Sequence, residues 1–100
     1  MMVVSGVTQW SQSTERGVQD GGKREIRSVP VNLPNKDSIE SVRYFASAQG
    51  NEHFSVYQTG IAESNVNGFL IGIALSNRDG EVSHFTPHTQ IHWIALCTLK

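Results

Sequence analysis

Three of the four histidines of this 100-residue chain, His84, His88 and His92, recur at every fourth position. Histidine is the commonest protein metal ligand, and on a helix this spacing would place all three rings on one face. Pro87 and the β-forming residues around it favour an extended chain instead. On a strand, successive rings would lie about 13 Å apart, too far to bind one ion. We therefore expect no metal site within one chain, although a symmetric oligomer could bring three copies of one histidine together at its axis.

The other residues that could do chemistry lack the patterns that enzymes need. The sequence has no G-x-S-x-G nucleophile elbow, and its acidic residues fall mostly in polar stretches, where solvated surface is their expected role. The stretch Gly17 to Gly22 lacks the phosphate-binding pattern G-x-x-x-x-G-K-[ST]. Cys97 is the only cysteine, so we expect a small buried side chain rather than a nucleophile. The sequence predicts a protein that is not an enzyme and needs no cofactor.

A polar turn offers a different kind of chemistry. Asn77, Arg78 and Asp79, with His84 nearby, combine planar hydrogen-bond donors and acceptors, which suits recognition of neutral hydroxyl groups. An ordinary solvated hairpin is the alternative. Trp10 could be a stacking platform for a ligand or a packed side chain, and for Trp93 we expect core packing.

Composition limits the partners and the organisation. The length predicts a single domain over residues 1–100. A net charge of −1, with no basic cluster, argues against nucleic acid. The longest apolar stretch, Phe69 to Leu75, is far shorter than the ~20 residues of a membrane span. Met1 to Val4 has neither a basic start nor a long apolar segment, so no signal peptide is visible.

The pattern of the chain is all-β. Short β-forming segments alternate with Gly, Asn, Asp, Ser and Pro, which predicts a sandwich or barrel of six strands over Val3–Trp10, Arg24–Leu33, Ser41–Ala48, Phe54–Ile61, Phe69–Leu75 and Ile91–Cys97. Pro30 predicts that the second strand is at an edge, and the polar residues 11–23 predict a long loop. The third and fourth strands are expected to form a hairpin. A helix over Asp37–Ala48 is the weaker alternative.

The last predicted strand, Ile91–Cys97, is apolar on both faces. Alternation places Ile91, Trp93, Ala95 and Cys97 on one side and His92, Ile94 and Leu96 on the other. One of these apolar sides must pack against the core of the domain. We expect a neighbouring subunit to cover the other.

Several segments resemble the H-type lectin domain known from snail agglutinins and discoidins. The resemblance rests on V-Y-Q-T-G-I-A-E-S-N-V-N-G-F-L-I-G-I (Val56 to Ile73) and I-H-W-I-A-L (Ile91 to Leu96). Upstream, Ser5-Gly6, Trp10 and R-E-I (Arg24 to Ile26) resemble the opening of that domain. The final strand is also similar to phage tail-fibre tip domains. The family implies a six-stranded antiparallel β-sandwich assembled as a homotrimer that binds terminal sugars of glycoconjugates.

The resemblance also indicates where a sugar would bind. The loop aspartate of the family falls at or near Gly21, beside Asp20, its strand arginine aligns with Gly60, and its Trp-His pair falls near Ser76 and Asn77. The predicted carbohydrate-binding residues are therefore Asp20, Asn77, Arg78, Asp79 and His84. The trimer assigns His92, Ile94 and Leu96 to the oligomer interface.

Two hypotheses follow. The first is a carbohydrate-binding adhesion or recognition module, outside the cell or on a virion or cell surface as the resemblance implies. The second is a structural trimeric tip domain of a phage-type fibre or adhesin without a sugar site of its own.

Overall fold

The computed structural model describes residues 1–19, 24–49, 54–77 and 89–100. Within these ranges the chain forms seven strands and two short 3-10 turns, so the all-β prediction is confirmed, with one strand more than expected. The turns are Trp10–Gln12 and Lys36–Ser38. The strands are β1 (Met2–Gln9), β2 (Thr14–Gln19), β3 (Arg24–Pro30), β4 (Ile39–Gln49), β5 (Phe54–Asn65), β6 (Gly68–Asn77) and β7 (Gln90–Leu99).

The strands form two antiparallel sheets with the core between them. The three-stranded sheet has the order β1-β7-β4, and the four-stranded sheet has the order β2-β3-β6-β5. Tyr44 of the first sheet packs on Phe69 of the second, with ring centroids 4.6 Å apart. The phenol of Tyr44 also donates a hydrogen bond of 2.7 Å to the backbone carbonyl of Asn65 on β5. The β-sandwich is therefore held by apolar packing and by one polar link between its sheets.

The additional strand, β2, lies within the stretch that the sequence predicted to be a loop. Its residues are polar and carry no apolar alternation, because β2 is an edge strand that adds little to the core. β3, which lies between β2 and β6, is an inner strand, so the prediction of an edge position was wrong. Pro30 is the last residue of β3, paired with Gly68, where a missing N–H group interrupts the ladder least.

The predicted hairpin between the third and fourth strands was also wrong. β4 pairs with β7 in one sheet, whereas β5 pairs with β6 in the other. The apolar side of β4 is buried against the opposite sheet. Turn-forming residues between two strands do not show whether the chain returns within the same sheet or passes to the other one. The helical alternative for Asp37–Ala48 fails as well, because the 3-10 turn ends at Ser38 and β4 begins at Ile39.

β5 and β6 form a hairpin. The backbone N–H of Asn67 donates a 2.8 Å hydrogen bond to Oδ1 of Asn65, which closes the turn locally. Gly68 has a φ of +148°, a conformation that side chains rarely adopt. An added Cβ at Gly68 would overlap the backbone carbonyl oxygen of Val29. Glycine is therefore required at this position by both the backbone angle and the close approach of β3.

The two faces of β7 are as predicted. Ile91, Trp93, Ala95 and Cys97 are buried in the core, whereas His92, Ile94 and Leu96 lie on the opposite face. The buried indole is satisfied, because Nε1 of Trp93 donates a 3.1 Å hydrogen bond to Oγ1 of Thr8. The expectation that Cys97 is a small buried side chain is confirmed. No helix among the described residues is long and apolar enough to cross a membrane.

Burial of Tyr44 makes the stability of the fold sensitive to alkaline pH. Desolvation, with a smaller contribution from Cys97, raises the pKa of the Tyr44 phenol to about 12. An unfolded tyrosine has a pKa of about 10, so unfolding releases a proton between pH 10 and 12. We expect the free energy of unfolding to be unaffected by this group below pH 10 and to fall as the pH rises towards 12.

Urea unfolding of the wild type and of Tyr44→Phe across this pH range tests the expectation. The decrease should be steeper in the wild type, because the variant has no phenol at this position. Parallel curves for the two proteins would show that Tyr44 does not cause the alkaline effect.

Candidate functional site

The strand registers show that β2 and β6 end at the same end of the four-stranded sheet. Gln19, at the end of β2, pairs with Arg24, which pairs with Ala74 near the end of β6. Gln19 and Asn77 therefore lie at the same end of the sheet, on strands about 10 Å apart. Asp20, Arg78, Asp79 and His84 lie outside the described residues, and Asn77 is described as the last residue of the β6 backbone.

A polar cluster at Trp10 was not predicted from the sequence. The guanidinium of Arg27 lies 4.0 Å from the centre of the Trp10 ring. Its nitrogens donate to Oγ and the carbonyl oxygen of Ser13 and to the carbonyl oxygen of Trp10, at 2.9 to 3.1 Å. A 2.9 Å ion pair with Glu25 completes the set. Glu25 and Arg27 are two residues apart and therefore lie on one face of β3. This spacing of opposite charges is the sequence feature from which the ion pair could have been predicted.

This cluster is structural rather than a ligand site. Arg27 uses its donors to hold the 3-10 turn that leads from β1 to β2, so few remain for a ligand. The stacked guanidinium also covers one face of the Trp10 ring. The interpretation of Trp10 as a packed side chain is therefore favoured over that of an open platform for a sugar.

The outward side of the three-stranded sheet carries several exposed apolar side chains. We call it the outer apolar face and define it by Val3 and Val7 of β1, Phe45 of β4, and His92, Ile94 and Leu96 of β7. The registers bring these side chains into adjacent rows: Ile94 lies between Ser5 and Phe45, and His92 lies between Val7 and Ser47. The predicted interface residues therefore share one contiguous surface.

The outer apolar face is exposed in the single chain. Four of its side chains are exposed, at 62% for Val3, 47% for Val7, 52% for Phe45 and 45% for Ile94. On its three central rows, the only charged residue is Arg43, beside Leu96. Contiguous apolar patches of this kind typically mark interaction sites in soluble proteins. The surface can therefore be buried by a partner with little loss of charge hydration.

A depression of about 480 Å³ crosses the outer apolar face. It lies over Gly6 and is lined by Val7, Phe45, His92 and Ile94 among others. Nε2 of His92 is buried here and has no hydrogen-bond partner.

No metal site is assembled by the described residues. They contain no group of three or more His, Cys, Asp or Glu side chains placed to hold an ion. Of the evenly spaced histidines, the structure describes His92, and His84 and His88 lie outside the described residues.

Comparison with known proteins gives no assignment for this geometry. The chain matches no family model, no curated protein and no solved structure. Two described features bear on its function: the common end of β2 and β6 in the four-stranded sheet and the outer apolar face of the three-stranded sheet.

Proposed function

We propose that the chain is a carbohydrate-binding, lectin-like recognition module that acts as a homotrimer. Terminal sugars of glycoconjugates bind through Asp20, Asn77, Arg78, Asp79 and His84, and His92, Ile94 and Leu96 lie at the subunit interface. The proposal includes no catalytic step and no cofactor. Its place of action is an extracellular, virion or cell surface.

The observation that carries the proposal is the common end of β2 and β6. Gln19 and Ala74 both flank Arg24 in register, so the described parts of β2 and β6 end on the same side of the sheet, just before Asp20 and Arg78 in the sequence. The predicted sugar-binding residues supply carboxylates, an amide, a guanidinium and an imidazole, which together donate to and accept from sugar hydroxyls. The sequence resemblance to H-type lectins points to the same ligand class.

The second candidate is a structural trimeric tip domain of a tail fibre or adhesin without a sugar site. The outer apolar face favours it, because this surface supports assembly whether or not a sugar binds. The two candidates therefore predict the same oligomer and differ only in ligand binding.

A glycan array probed with the intact oligomer tests the first candidate. We expect binding to glycans with a neutral terminal sugar, and a large loss of signal for Asp79→Ala and His84→Ala. The control is Glu40→Ala, an exposed residue of β4 remote from the proposed loops, which should retain the wild-type pattern. No binding to any glycan at millimolar ligand would contradict the lectin hypothesis and leave the structural trimer.

A further inference from the structure

Both edge strands of the four-stranded sheet contain a β-bulge. In β2, Glu15 pairs with Arg27 and Gly17 pairs with Ile26, so Arg16 is an extra residue without a partner in the register. In β5 the register shifts between Ala62 and Asn65. Bulges interrupt pairing and change the direction of side chains, and they are frequent beside functional sites.

The bulge of β5 contains Glu63 and Ser64. Glu63 adopts the left-handed conformation, with a φ of 49°. Arg16 and Glu63 are both exposed, and both line the same groove on the outer side of the sheet. The two bulges therefore present opposite charges to one surface from opposite edges, across inner strands β3 and β6.

The groove has a volume of about 230 Å³. Arg16 lies on its β2 side and Glu63 on its β5 side, while Ser28 of β3 and Leu70 of β6, which pair with each other, lie between them. The backbones of the edge strands are about 14 Å apart, since three interstrand spacings separate them. Asn65 and Asn67 complete the lining near the β5–β6 turn.

The polar groups of this groove retain unused hydrogen-bonding capacity. Among the described residues, the side chains of Arg16, Ser28 and Glu63 make no hydrogen bond and no ion pair. Oδ1 of Asn65 accepts a bond from the backbone of the turn, which leaves the amide NH₂ of Asn65 as a donor. The groove therefore offers donors and an acceptor at once.

These groups select a ligand class by their chemistry. A guanidinium only donates and a carboxylate only accepts, so a ligand that binds both must offer an acceptor to Arg16 and a donor to Glu63, and a hydroxyl group can serve as either. Because the charges of Arg16 and Glu63 are opposite, this pair has no net charge that would attract an ion. The volume is below the ~300–1,000 Å³ of sites for drug-sized molecules, which limits the ligand to about one ring.

We infer that this groove is a second binding site, which takes one neutral polyhydroxylated ring, a monosaccharide unit, between Arg16 and Glu63. Leu70 lies under the apolar side of the ring. The site goes beyond the proposed function, because it is at the β5–β6 turn, the opposite end of the sheet from Gln19 and Asn77. It depends on none of the predicted loop residues.

The test is an NMR titration of amide chemical shifts of the full chain with the methyl pyranosides of galactose, glucose, mannose and N-acetylgalactosamine. We expect at least one of these at millimolar concentration to shift the amides of Ser28, Glu63, Asn65 and Leu70. Glu63→Gln and Arg16→Gln should each raise Kd at least about tenfold, because each removes a charge-assisted hydrogen bond. Both residues are exposed, so both variants should retain the wild-type fold.

The matched control is Glu40→Gln, which removes an exposed carboxylate from β4 and should leave Kd within twofold. The methyl glycoside of glucuronic acid is the charged probe. Binding of this probe alone would show an anion site at Arg16 and would overturn the inference. Shifts confined to amides beside Gln19 and Asn77 would also overturn it while supporting the proposed function, and shifts at neither end would overturn both.

Discussion

Replacing Ile94 by glutamate is expected to convert the proposed homotrimer into monomers. Ile94 lies on the central strand of the three-stranded sheet, between Ser5 and Phe45, in the middle of the outer apolar face. In the proposed trimer this side chain is covered by a neighbouring subunit. An unpaired carboxylate buried there costs several kcal/mol, and every subunit would contribute one.

Size-exclusion chromatography with light scattering at micromolar concentration measures the effect. The matched control is Val18→Glu, since Val18 is exposed to a similar degree, 53% against 45% for Ile94, but lies on β2 in the other sheet. The control should keep the wild-type mass. If both variants dissociate, the effect is one of net charge, and if neither does, the outer apolar face is not the interface.

Gly68→Ala is expected to destabilise the fold by about 3 kcal/mol or more. Alanine at a φ of +148° is strained, and its Cβ would overlap the backbone oxygen of Val29 on β3. Strained backbone conformations cost about 1–3 kcal/mol and overpacking typically costs a further 1–3 kcal/mol. The backbone of β3 cannot move away easily, because β3 is held between β2 and β6.

Urea unfolding of Gly68→Ala beside Gly60→Ala checks this expectation. Gly60 is on β5 of the same sheet, but an added Cβ there meets nothing within 4 Å. Its substitution should change the free energy of unfolding by less than about 1 kcal/mol. Equal effects at the two glycines would show that the close contact between β3 and β6 does not determine the requirement for glycine.

Periodicity was sufficient to predict the buried faces of β6 and β7. The alternation of Phe69, Ile71 and Ile73 and that of Ile91, Trp93 and Ala95 both correspond to buried faces of β6 and β7. These strands lie in the centres of their sheets, where one face must contribute to the core, so their sequences carry a strong apolar pattern.

Strand partners were not predictable from the same pattern. β2 was not predicted, because an edge strand with mostly polar residues is stabilised by backbone hydrogen bonds. Such pairing produces no apolar pattern in the sequence. The placement of β4 and β5 in opposite sheets depends on long-range pairing with β7 and β6. Turn-forming residues between two strands indicate that the chain changes direction there, but they do not indicate with which strands the two will pair.

The candidate surfaces were predicted unequally for a related reason. His92, Ile94 and Leu96 follow from the two apolar faces of one strand, which alternation alone makes visible. The groove between Arg16 and Glu63 depends on bulges in two strands far apart in sequence, and no local pattern brings those residues together.

Sedimentation equilibrium of the wild-type protein at micromolar concentration tests the central claim most directly. A trimer of this 11.0 kDa chain predicts a single species of three times that mass. It also predicts that the outer apolar face is buried in the assembly rather than exposed to water. A single species of 11.0 kDa would contradict the assignment of His92, Ile94 and Leu96 to an interface, and with it the proposal of a trimeric recognition module.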